Sequence, residues 1–235
     1  MDNIKVVREI FHQRYGTSPL MVIAPGRINL IGEHTDYNNG FVMPSAIDHY
    51  FVFALAPNKT KTFSAYSTDL NEASTFTIED INPGHHWTNY FMGVLQGLQQ
   101  KGCALQGFDC VFGGNIPVGA GLSSSAALCS GFGFALNEVF NYSLSRLEIA
   151  KIAQYAEHNF AGVKCGIMDM YACLFSEKNS VILLDCRSLT HEYLPFEYDD
   201  VEILLMDTKV KHTLASSAYN KRREACEEGV SIIHK

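Results

Sequence analysis

Three clusters of residues in this 235-residue sequence have types and spacings that could do chemistry. The first is Pro117-Val118-Gly119-Ala120-Gly121-Leu122-Ser123-Ser124-Ser125-Ala126-Ala127. Its glycines let backbone approach a ligand, its serines offer hydroxyls, and a proline-free apolar stretch follows that reads as a helix. A helix start presents unpaired N–H groups and a partial positive charge, so an anionic phosphate is stabilised there. No Gly-Lys-Ser or Gly-Lys-Thr follows, so this is not the Walker pattern, and a glycine-rich turn alone is more often a tight connection. The second cluster runs from Arg27 through Glu33, His34, Thr35 and Asp36 to Tyr37. Carboxylates and imidazoles accept or donate in fixed directions, as the reading of hydroxyl groups requires. A solvated loop has the same composition, whereas HExxH and calcium-loop spacings are absent. The third is Glu157-His158-Asn159 with Cys165-Gly166-Ile167-Met168-Asp169. In isolation Asp169 fits a helix cap and Glu157 an exposed helical carboxylate, and Cys165 fits an inert thiol better than a nucleophile.

These clusters must be held by the elements between them. Ile4, Val7, Ile10 and Phe11 predict an amphipathic helix over 4–15. Leu20–Ala24 predicts a strand stopped by Pro25-Gly26, with a polar loop from Arg27 to Gly40. Phe51–Leu55 and Thr62–Tyr66 read as strands joined in a hairpin across Pro57-Asn58-Lys59. A helix over 87–101, a strand over Phe108–Phe112 and a buried helix over Ser125–Phe140 follow. Ser145 and Glu148 form a possible capping box for a helix running to Asn159. Val181–Leu184 and Val201–Met206 read as strands, and His191–Asp200 between them as a domain boundary. His85-His86 beside Pro83-Gly84 reads as a turn, and Lys221-Arg222-Arg223 as a solvated basic face.

Composition excludes several classes. A net charge of −7 from 18 Lys and Arg against 25 Asp and Glu disfavours nucleic acid as a partner. The start lacks the order of a signal peptide, and no apolar run approaches the roughly 20 residues of a membrane span, so a soluble protein is expected. Seven cysteines without a CxxC spacing suggest neither a disulfide framework nor a zinc ribbon, and reduced thiols fit a cytoplasmic setting.

In this order, the segments resemble the galactokinase branch of the GHMP kinases, the superfamily of galacto-, homoserine, mevalonate and phosphomevalonate kinases. Pro25 to Asp48, PGRINLIGEHTDYNNGFVMPSAID, is similar to the galactokinase signature, and GAGLSSSAA at 119–127 to the superfamily's phosphate loop. CGIMD at 165–169 and HTLASSAYNKRREACEE at 212–228 also resemble that branch, so the likeness covers nearly the whole chain. It implies an α+β fold: a GHMP-kinase N-terminal domain with a ribosomal-protein domain 2-like mixed sheet and helices over 1–198, then the start of a ferredoxin-like C-terminal domain over 199–235.

The implied activity is transfer of the ATP γ-phosphate to the anomeric hydroxyl of galactose. The resemblance assigns sugar binding to Glu33, His34, Thr35, Asp36, Gly166 and Tyr219, and ATP phosphates to Gly119, Ala120, Gly121, Leu122, Ser123, Ser124 and Ser125. It assigns Mg2+ to Ser125 and Glu157, proton acceptance to Asp169, and charge neutralisation to Arg27. A kinase for N-acetylgalactosamine or arabinose, and a galactose-sensing binding protein, are the alternatives. Met170 stands where galactokinases commonly carry glutamine. The family's third, glycine-rich motif is not among these residues, and Glu228–Lys235 reads as the inside of a helix. The expectation is therefore a chain lacking most of the second domain and part of the nucleotide site.

Overall fold

The computed structural model describes residues 2–84, 86–117, 119–198, 200–207 and 215–233, without the side chains of 215–218. His85, the segment 208–214 that opens the 212–228 likeness, and the last two residues of the expected terminal helix lie outside the described residues.

Helix α1 (Asn3–Tyr15) starts at Asp2, whose carboxylate accepts from the Ile4 N–H, and stops at Gly16 in the left-handed region. Strand β1 (Leu20–Asn29) follows. Pro25 and Gly26 do not end it, as the sequence suggested; they form a bulge where the pairing register shifts between Pro25 and Arg27. The polar loop therefore begins after Asn29 and returns through β2 (Phe41–Val42) into the long β3 (Pro44–Pro57).

Strands β4 (Phe63–Ser67) and β5 (Glu72–Phe76), helix α2 (Thr88–Gln100) and strand β6 (Phe108–Gly114) come next. The main sheet is ordered β1-β3-β6-β4-β5. The expected β3–β4 hairpin does not form, because β6 inserts between them, antiparallel to β3 and parallel to β4. Sheet position explains the unbroken apolar run Phe51–Ala56. Phe51, Phe53 and Leu55 enter the main core, while Val52, Ala54 and Ala56 enter a smaller one beneath α1.

Helices α3 (Ser124–Phe140), α4 (Arg146–Ala156) and α5 (Met168–Phe175) join α2 over the main core. The Ser145–Glu148 capping box is present in both directions. The helix it starts gives way at Glu157 to a π turn, Glu157–Ala161, closed by Gly162 in the left-handed region. At Gly131 a Cβ would approach the Ala24 methyl to 2.5 Å, so α3 lies close against β1.

Strands β7 (Ser180–Asp185) and β8 (Thr190–Pro195) complete a second, antiparallel sheet, β2-β7-β8. The first half of the segment read as a boundary is thus a strand. Val201–Met206, expected as a strand, is not one; it runs without regular structure and is exposed, Met206 by 81%. Helix α6 (Ala215–Ile233) closes the described chain.

Candidate active site

Arg27 is set by the bulge in β1. Its Nε and Nη2 each lie 2.7 Å from Asp169 Oδ1, and its Nη1 donates to the Gly121 carbonyl at 2.7 Å. The neighbouring Gly26 is required by the same approach, since a Cβ there would meet the Leu122 carbonyl at 2.9 Å. Asp169 stands in the first turn of α5, and its second oxygen accepts from the Ser123 hydroxyl at 2.5 Å. Ser123 precedes α3 in a left-handed conformation, with φ 58°.

Glu157 begins the π turn, a geometry frequent at functional sites. It is 3% exposed, which contradicts the reading of an exposed helical carboxylate. Burial pushes its carboxyl up to about 7, against a hydrogen bond from Ser125 that favours the ionised form; the Asp169 charge adds to the rise. Asp36 is raised in the same sense, first by burial and then by Asp169.

Segments distant in the chain thus converge. Arg27, Glu33, His34, Asp36, Ser125, Glu157, Asp169 and Tyr219 all line one cavity of about 160 Å³. An adjoining, more open cleft of about 480 Å³ adds Gly119, Gly121, Leu122, Ser123 and Ser124. Ala120 faces a third cleft, of about 580 Å³, bounded on its far side by Leu204–Asp207.

The polar loop supplies the remaining wall. Asn29 Nδ2 holds Glu33 Oε1 at 2.7 Å, and the rings of His34, Tyr37 and Tyr219 pack within 5.8 Å of one another, centroid to centroid. Gly166 sits directly behind Asp36, where a Cβ would come within 1.9 Å of Oδ2. The Thr35 hydroxyl lies within 2.7 Å of the Gly32 and Phe41 carbonyls. These bonds close the loop.

Sequence reasoning missed several contributors. Asn220 bridges the loop before Gly166, accepting from the Lys164 N–H at 2.9 Å and donating to the Gly162 carbonyl at 2.8 Å. Arg223 donates to the Lys164 carbonyl at 2.9 Å, and Arg222 lines the open cleft, so the basic run is not merely a solvated face. Adjacency to Tyr219 was the available signal. Met170 is buried in the main core, and Asp169 takes its support from Arg27 and Ser123 instead of the following residue.

Comparison with known proteins agrees with this geometry. The family model for the GHMP kinases N terminal domain matches residues 89–177, and the galactokinase galactose-binding signature matches residues 9–57. A galactokinase of Thermosipho africanus is 44% identical over 216 residues, 92% of this chain and 60% of the relative. One of Pyrococcus furiosus is 43% identical over 218 residues, 93% of this chain and 61% of the relative. Among solved structures, Lactococcus lactis galactokinase complexed with galactose matches with a TM-score of 0.91 at 34% identity, covering 98% of this chain and 61% of that one. Methanococcus jannaschii mevalonate kinase matches at 0.63 with 20% identity, over 77% of this chain and 57% of that one, which shows the shared fold. The chain spans about 60% of the length of the relatives it matches. Signature, fold and relatives agree: this chain carries matches to the GHMP kinases N terminal domain and to the galactokinase galactose-binding signature, and over nearly its whole length it is similar to part of the galactokinases.

Proposed function

We propose that the chain carries the sugar and phosphate sites of a galactokinase, which transfers the γ-phosphate of ATP to the anomeric hydroxyl of α-D-galactose. One observation carries the reading: Arg27, Ser125, Glu157 and Asp169, contributed by four separate elements, line a single cavity. Glu33, His34, Asp36 and Tyr219 on its wall are suited to sugar hydroxyls, with Gly166 leaving room for Asp36. The cleft along Gly119–Ser125 is suited to the nucleotide phosphates, where the N-terminus of α3 offers N–H donors.

Asp169 is the proton acceptor for the sugar hydroxyl. Arg27, bound to it on one side, holds it oriented and faces the transferring group with positive charge. In a loose phosphoryl transition state, positioning and charge stabilisation outweigh proton removal, and this guanidinium supplies both. Mg2+ fits the donor set on chemical grounds. Ser125 and Glu157 present hard oxygens, and the buried Glu157 carboxyl, raised partly by Asp169, is a group that a cation would relieve. Among the described residues no three His, Cys, Asp or Glu side chains cluster as a metal site, so the two would hold the ion together with phosphate and water oxygens. Bound there, it would neutralise charge on the β- and γ-phosphates.

Residues 199–235 are read as the beginning of a second, ferredoxin-like domain, a reading supported by the exposed Val201–Met206 and by Val230, Ile232 and Ile233 on α6. A cytoplasmic setting is favoured by seven free cysteines. Among the described residues no helix is long and apolar enough to cross a membrane.

The test is ADP release with galactose, N-acetylgalactosamine and arabinose as acceptors, beside calorimetric titration of each sugar. In the full-length protein galactose-dependent turnover is expected, reduced roughly 10²–10⁴-fold in Asp169→Asn while galactose still binds; residues 1–235 alone are expected to bind galactose without efficient turnover. Galactose binding without turnover in the full-length protein would favour a sugar sensor, and no sugar binding at all would remove the proposal.

A further inference from the structure

Asp169 is clamped from two sides, and one jaw belongs to the phosphate loop. The Ser123 hydroxyl donates to Oδ2 at 2.5 Å, while Arg27 holds Oδ1 and also donates to the Gly121 carbonyl, both at 2.7 Å. A second tie, from the Arg27 N–H to the Leu122 carbonyl at 3.3 Å, closes the circuit. Arg27, Asp169 and the backbone of 121–123 are thereby one hydrogen-bonded ring.

Ser123 occupies an unusual place in that ring. With φ 58° and ψ 45° it sits in the left-handed region that a side chain makes costly, and glycine would adopt it without strain. Its side chain makes no capping hydrogen bond to α3. The hydroxyl goes to the carboxylate of another helix, 46 residues away in the chain. A serine whose only task was to line the phosphate cleft would not need that partner, and Ser124 and Ser125 in the first turn of α3 already line the cleft.

We propose that Ser123 is a positioning residue: it aims the Asp169 carboxylate at the sugar and ties that aim to the conformation of the phosphate loop. A phosphate entering the loop moves Ser123 and Gly121 together, and through them both oxygens' partners on Asp169. This rests on the galactokinase reading only for the identity of the sugar and nucleotide.

Two variants separate hydroxyl from backbone. Ser123→Gly removes the hydroxyl and relieves the strain, and Ser123→Ala removes the hydroxyl and keeps it. The first measurement is thermal unfolding of the whole chain in a double-mutant cycle of Ser123→Gly with Asp169→Asn. Non-additive effects are expected, and additivity overturns the clamp whether or not the protein turns over. The second is steady-state kinetics of the full-length protein. Both variants should lower kcat alike, by roughly 10- to 100-fold, the worth of a hydrogen bond to a charged group, a larger loss than either shows in nucleotide affinity. A kcat equal to the unmodified chain, a loss confined to nucleotide affinity, or a loss in Ser123→Ala that Ser123→Gly restores, overturns the positioning role. If Asp169→Asn turns over like the unmodified chain, the catalytic reading fails instead, and the unfolding cycle still decides the clamp.

Discussion

The two loops that face each other across the cavity are built on opposite plans. The sugar-side loop, from Gly32 to Gly40, is bonded to itself. Thr35 N–H reaches the Gly32 carbonyl at 3.3 Å, Gly40 N–H reaches Thr35 at 2.9 Å, and the Asn38 amide reaches His34 at 2.8 Å. Its glycines are packed: a Cβ at Gly32 would stand 2.4 Å from the Phe41 carbonyl. The phosphate loop also carries left-handed residues, Gly119 at φ 78° and Gly121 at φ 76°, but a Cβ on either would meet nothing within 4 Å. Among the described residues, the backbone bond within it, from Ala120 N–H to the Pro117 carbonyl, is long at 3.5 Å, and the loop is tied to the body by Arg27. The first loop is thus held by its own hydrogen bonds and packing, whereas the glycines of the second have space beside them and the loop is held to the body through Arg27.

The sharpest way to break that contrast is on the sugar side. Gly166→Ala places a methyl within 1.9 Å of Asp36 Oδ2, so the carboxylate must turn from its present place into the cavity it lines. Galactose affinity by calorimetry should fall at least about 100-fold, the scale that misplacing a site group by an ångström produces. Affinity within a few-fold of the parent would mean that Asp36 does not read the sugar. Gly32→Ala should unfold the loop's closure and lower stability by about 3 kcal/mol in a denaturant titration, because a positive φ of 104° and a backbone clash act together.

Glu157 extends the comparison to charge. Its folded carboxyl is pushed up to about 7 from the ordinary 4.5, so the group favours folding most below the lower value. That contribution is lost as pH rises through about 7. In metal-free buffer, stability should therefore decline across this window by on the order of 3 kcal/mol. Glu157→Gln, neutral at every pH, should flatten the decline. An unchanged slope in that variant would locate the pH dependence elsewhere.

Much of this architecture was legible because its signals are local. The capping box at Ser145 and Glu148, the helical run after Ser123 and the β-rich stretch Phe51–Leu55 involve neighbours whose preferences agree with the fold. What was not legible depends on partners distant in the chain. Nothing near Phe63 says that β6, more than 40 residues on, will come between it and β3. Pro25-Gly26 reads as punctuation until the close approach of Leu122 turns it into a bulge. Val201–Met206 has the composition of a strand, but among the described residues it joins neither sheet. In the site, the residue types were readable and their directions were not. Thr35 and Asp36 are adjacent, and only the fold of the loop decides that the first bonds the Gly32 carbonyl and the second lines the cavity.

The smallest expected effect tests the comparison most finely. Gly121→Ala changes the same atom as Gly32→Ala and imposes a comparable penalty on the backbone, since both glycines have positive φ. What differs is space. At Gly121 the new methyl points into the open cleft, so stability should fall by only about 1 kcal/mol, the left-handed penalty alone. The Arg27 bond to its carbonyl uses an atom the substitution leaves in place. Nucleotide affinity should suffer more than stability, because the methyl projects where a phosphate would lie. A stability loss as large as that of Gly32→Ala would show that the phosphate loop is packed in solution, and the difference between the two loops would then lie in what covers them and not in how they are built.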